Sequence, residues 1–238
     1  MQAFLAILRY DLGQLSHSWL VRIWVALLIV PAVFLIVVAA NEQELASETM
    51  AAYVGAVLVP LSGLAVAVIA SAAVSSESAV IADSILSRSV TRTEYLWAKI
   101  VARIGVTLTV YFAVTVPFAY LVTRYAVPDT TAAGVVVGLL MVGSLLTFLA
   151  AAGITLSTQM RNALLAVLVL LVAVVSSGAL LQFLGLSWMS ATAVINELPS
   201  TFRGDTAVWD QIRVLMIFPA LTALALAYSL WAFRRKDL

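Results

Sequence analysis

Six long apolar runs dominate the chain, near residues 23–40, 51–76, 104–123, 131–157, 163–184 and 213–233. Each is close to or beyond the roughly 20 residues a helix needs to cross the ~30 Å hydrocarbon core. The runs are continuous, whereas a membrane β-barrel would alternate apolar and polar positions in short segments. The pattern predicts an all-α integral membrane protein with six transmembrane helices, in a single domain over residues 1–238.

Two further stretches follow other patterns. Residues 2–18 place Phe4, Leu5, Leu8, Leu12 and Leu15 near helical spacing, with Arg9, Asp11 and Gln14 elsewhere. This suits an amphipathic helix lying in the interface, or an extension of the first span. The apolar run behind it is too long for the core of a cleavable signal peptide, so none is expected. Residues 185–212 keep Trp188, Met189, Val194, Ile195, Leu198, Phe202 and Trp209 among polar groups. Such a mix fits a short re-entrant or interfacial element with tryptophans at headgroup depth, or an ordinary external loop. Backbone that enters a membrane without crossing it must be shielded by protein.

Composition agrees with the pattern. The 238 residues are 63% hydrophobic and 11% charged, against about a quarter charged in soluble domains. No cysteine is present, which excludes disulfides, thiolate metal sites and a cysteine nucleophile. Against this background one interval stands apart. From Glu77 to Arg103 the chain carries Glu77, Asp83, Arg88, Arg92, Glu94, Lys99 and Arg103, seven of its 25 formal charges in 27 residues.

Charge also predicts orientation. With six spans, both ends share a side with Arg9, Arg22, Arg88, Arg92, Lys99, Arg103, Arg161, Arg234, Arg235 and Lys236. Only Arg124, Arg203 and Arg213 fall on the other side, with seven acids: Glu42, Glu44, Glu48, Asp129, Glu197, Asp205 and Asp210. Basic residues concentrate on the cytoplasmic side, so both termini and the charged interval are expected in the cytoplasm.

Apart from Arg213 at the first position of the sixth, the six apolar cores contain no Asp, Glu, Lys, Arg or His. Ionisable groups at membrane depth mark proton relays, so a proton-coupled carrier is disfavoured. Sodium coupling through backbone carbonyls of broken helices stays open. Pro31, Pro60, Pro117 and Pro219 lie within spans and read as kinks. Small residues mark close helix approach or a pathway: Ser62 and Ser71 in the second span, the GxxxG pair Gly134 and Gly138 in the fourth, and Ser176 and Ser177 in the fifth. The single histidine, His17, is an interfacial polar residue in the amphipathic start, not placed at membrane depth to serve as the base of an intramembrane serine, and no metal-ligand cluster appears in the sequence. No G-x-x-x-x-G-K-[ST] phosphate loop occurs. The chain is therefore not expected to be an enzyme or to hold a cofactor. Any uphill work must draw on another source.

The charged interval resembles the segment after the second span in ABC transporter permeases of the type-2 export family. Glu77 stands at the end of the second span; Ile85-Leu86-Ser87-Arg88-Ser89-Val90-Thr91-Arg92 follows, and Ala98-Lys99 leads into the third. The ending Phe233-Arg234-Arg235-Lys236-Asp237-Leu238 is similar to the family's frequent basic terminus. Ser89 stands where the family usually has proline, and Ile81 or Ala82 where it usually has glycine.

The resemblance implies a prokaryotic inner (plasma) membrane protein that pairs with a second permease chain, as a homodimer or related heterodimer, and exports its substrate between them. Two separate cytosolic ABC ATPase subunits, which bind the ATP and Mg, would dock beneath. A coupling helix near Ser78–Ser89 would sit in a cleft of each ATPase. Its contact residues would be Glu77, Ile81, Asp83, Ile85, Leu86, Arg88, Arg92 and Glu94, the apolar ones as anchor and the charged ones setting register. The competing readings are an ATP-independent membrane scaffold or binding protein, and a sodium-coupled carrier.

Overall fold

The computed structural model describes residues 2–75, 91–160 and 162–235. The chain folds into helices: α1 (Gln2–Ser16), α2 (Trp19–Glu42), α3 (Ala46–Ala52), a π-helical turn (Tyr53–Leu58), α4 (Val59–Ser75), α5 (Arg92–Tyr125), α6 (Ala132–Gln159), α7 (Ala163–Phe183), a 3-10 turn (Ser187–Met189), α8 (Ala191–Asn196), α9 (Leu198–Arg203) and α10 (Val208–Arg235). The α3–π–α4 run is one continuous rod. With it, six helices are long and apolar enough to cross a membrane: α2, the α3–α4 rod, α5, α6, α7 and α10. The protein is an all-helical, multi-pass membrane protein.

The span boundaries shift from the expected ones in one place of consequence. The third helix begins at Arg92 rather than near residue 104, because Thr91 and Glu94 close a capping box at its start. At 34 residues, α5 is about 51 Å long, well beyond what a bilayer core requires. α1 is a separate helix: the chain turns to an extended conformation at Ser18 before α2 starts.

α6 is the hub of the bundle, flanked by α4, α5, α7, α9 and α10. Apolar burial drives helices together weakly in lipid, so close approach and polar contacts hold the spans. A Cβ at Gly153 would lie 2.7 Å from the Cβ of Ala70, which is how tightly α6 meets α4. The Tyr111 hydroxyl of α5 donates to the Leu139 carbonyl of α6 at 2.7 Å. Thr155 of α6 donates to the Ala225 carbonyl of α10 at 3.0 Å. Tyr53 donates across to the Leu28 carbonyl of α2 at 3.1 Å. α7 is peripheral, with Ala166 and Leu170 its buried residues.

The π turn has a local cause. Pro60 lacks an N–H, and its ring crowds the carbonyl four residues back. Widening the preceding turn relieves this, and the Val59 N–H bonds the Val54 carbonyl, five residues earlier.

Candidate functional site

Two polar constellations sit at opposite ends of the bundle. The first lies where α1, the start of α5 and the end of α10 converge. Thr91 accepts from the Glu94 backbone N–H at 3.2 Å, and Glu94 Oε2 accepts from the Thr91 N–H at 3.3 Å and hydroxyl at 2.9 Å. This reciprocal cap satisfies exposed donors of the first turn. Eight and twelve residues beyond Thr91, Lys99 and Arg103 fall on one helical face and turn inward. Lys99 Nζ donates to Asp11 Oδ1 at 2.7 Å, and Arg103 lies 4.0 Å from Asp11 Oδ2. Asp11 is fully buried; Lys99 is 2% and Arg103 8% exposed. Lys99 also sits 5.4 Å over the Tyr95 ring, which stacks on Phe233 of α10 at 6.4 Å. Phe233, Leu96 and Ile100 share one apolar cluster.

The face of α1 that packs is thus Leu8, Asp11 and Leu15, not the all-leucine stripe. Leu5 and Leu12 remain exposed. Periodicity alone sets Asp11 apart from the apolar positions of α1. The fold turns both cations of α5 toward it. The available signal was spacing: Asp11 follows Leu8 by three and precedes Leu15 by four, and Ala98, Ile100 and Ala102 interleave the two cations. The [ST]-x-x-E cap at Thr91 was equally legible.

Of the expected ATPase-contact residues, Glu77, Ile81, Asp83, Ile85, Leu86 and Arg88 lie outside the described residues. Arg92 opens α5, and Glu94 serves the cap.

The second constellation joins the turns at the other end. Leu45 and Val127 form a parallel bridge, with Ala46 N–H to the Val127 carbonyl at 3.1 Å and Val127 N–H to the Glu44 carbonyl at 2.9 Å. Asp129 accepts from the Ser47 N–H at 2.9 Å and from its hydroxyl. Arg203 donates to Ser47 Oγ at 2.9 Å, Asp129 Oδ2 at 3.2 Å and Glu48 Oε1 at 2.9 Å. Burial works to raise the Asp129 carboxyl, but the Ser47 hydrogen bonds and the Arg203 guanidinium outweigh it and hold it below the usual carboxylate range.

This clasp fixes the 185–203 stretch as a folded insert. Val194 packs with Met141 and Leu145 of α6 and with Val214 and Phe218 of α10. Ile195 reaches Gly55, where a Cβ would meet its Cγ2 at 2.9 Å. Met141 lies nine residues into α6, about 13 Å below the helix end. The segment therefore descends into the bundle rather than looping over it, and Val194, Leu198 and Phe202 are shielded by protein.

The small residues have definite partners. A Cβ at Gly134 would lie 2.3 Å from the Thr201 carbonyl, and one at Gly138 would lie 2.4 Å from the Phe202 ring. The GxxxG notch thus receives α9 of its own chain. Ser62 accepts from Trp24 Nε1 at 3.3 Å. Ser71 is buried beside the Gly153 contact of α4 with α6. Ser176 and Ser177 donate to carbonyls of their own helix, at Val172 and Val174, each at 2.7 Å. Among the described residues, no three His, Asp or Glu gather as metal ligands. Comparison with protein-family models and with curated proteins finds no match for the chain.

Proposed function

We propose that the chain is the membrane-spanning subunit of an ATP-driven exporter of the type-2 ABC permease kind. It would work paired with a second permease chain and be driven by two separate cytosolic ATPase subunits. One observation carries the reading: the charged interval of the sequence ends in α5, and the first three turns of that helix, from Arg92 to Arg103, are capped, clamped to α1 and packed on the end of α10. A push delivered on residues 77–91 would thereby act on three helices at once. No phosphate loop is present in the sequence, so the energy must come from a partner. The basic side of the chain is the side of this interval, which supports a cytoplasmic position.

Charge reversal tests the contact. In vesicles containing both subunits, Arg88→Glu or Arg92→Glu is expected to leave ATP hydrolysis running while transport falls at least ten-fold. Wild-type coupling in both variants would contradict the proposal.

A further inference from the structure

A groove of about 990 Å³ runs between α1 and α5, lined by Leu5, Leu8, Leu12, Val21, Val106 and Val110 among others. This is at the upper end of the volumes that hold small ligands. Gly13 and Gly105 also line it, and a Cβ at either would meet open space, so the groove is unfilled from both helices. Its depth follows from its walls. Val21 lies in the first turn of α2, and it shares the groove with Val106 and Val110 of α5. One end of the groove is therefore level with the start of the first span. The other end, at Leu5 and Arg9, lies beside the part of α5 that extends past that span.

Arg9 is the charged side chain in this lining, and it is exposed. The side of the chain that holds it carries ten bases and five acids, against three bases and seven acids opposite. An apolar trough at the level where acyl chains begin, with a guanidinium at its aqueous end, matches one ligand chemistry. We propose that the α1–α5 groove is a site for an anionic phospholipid, its acyl chain along Val21, Gly105 and Val110 and its phosphate at Arg9. An interfacial arginine attracts an anionic headgroup by about 1 kcal/mol, and guanidinium pairs well with phosphate oxygens. This inference requires only that the protein sits in a bilayer, and does not depend on the transport reading.

The purified chain in detergent is titrated with dioleoyl-phosphatidylglycerol or dioleoyl-phosphatidylcholine, and bound lipid is counted by native mass spectrometry. Arg9→Gln is expected to weaken the tightest phosphatidylglycerol by about five-fold, the equivalent of one interfacial charge. Phosphatidylcholine binding should stay unchanged, and Arg9→Lys should retain most of the preference. Gly105→Leu, which fills the trough and leaves the charge, should remove the site for both lipids. Arg9→Gln changes an exposed side chain and decides alone if Gly105→Leu fails to fold. Wild-type phosphatidylglycerol binding in Arg9→Gln would overturn the proposal. So would an equal loss for both lipids in that variant. A change of oligomeric state in Gly105→Leu with lipid binding intact would make the groove a contact between copies, and would also overturn it.

Discussion

Arg203 joins three turns that are far apart in sequence, and its partner Asp129 makes the junction sensitive to acid. The folded carboxyl titrates below the unfolded value of about 3.9. Its stabilising contribution is therefore complete above that pH and is lost as pH falls through the depressed folded value. Thermal unfolding in detergent should show the wild type losing stability below about pH 4. Asp129→Asn should be less stable near neutrality and should lack this part of the acid slope. A variant with the wild-type slope would rule out Asp129 as its source. Gly138 gives a second residue-scale expectation. The Phe202 ring occupies the space a side chain would need, so Gly138→Leu should cost at least the ~1–3 kcal/mol of ordinary overpacking, read as a lowered unfolding temperature. Phe202→Ala in the same background should recover part of it. The GxxxG spacing was readable in the sequence, but its occupant was not. The motif reports that a backbone is approachable, and only the placement of α9 decides what approaches.

At the scale of elements, the clamp between α1 and α5 is the feature periodicity missed. A periodicity reading scores charge as solvent-facing, and here an acid pairs with one base, with a second base close by, inside a contact. Removing one partner of such a pair leaves the other charge buried, at a cost of about 3–5 kcal/mol. Asp11→Asn should lower the unfolding temperature and expose α1 to proteolysis. The swapped pair Asp11→Lys with Lys99→Asp should recover part of the loss, a coupling that a double-mutant cycle measures. Additive effects would mean that the contact contributes nothing specific. The long start of α5 escaped notice for a related reason. Its first three turns are polar enough to fall below a membrane-span reading, while the Thr91–Glu94 cap that begins them is a local helix signal.

For the whole molecule, the six spans were legible because each is a continuous apolar run, and a bilayer admits few folds for such runs. Residues 185–212 were not, since sequence leaves a re-entrant insert and an external loop open. Burial of Val194 against α6 and α10, and of Leu198 and Phe202 in the main core with α6, distinguishes them. The expected coupling residues from Glu77 to Arg88 lie outside the described residues, so the proposed function rests on what frames them: the capped, clamped start of α5 and the basic side of the chain. The measurement that bears most directly on it is composition and activity of the purified complex. The tagged chain, expressed in its native background and extracted in mild detergent, should carry an identified ABC ATPase at two copies per two permease chains. ATP hydrolysis by that complex should drive export in vesicles. Substrate movement by the chain alone, indifferent to ATP and to any ATPase, would contradict the account.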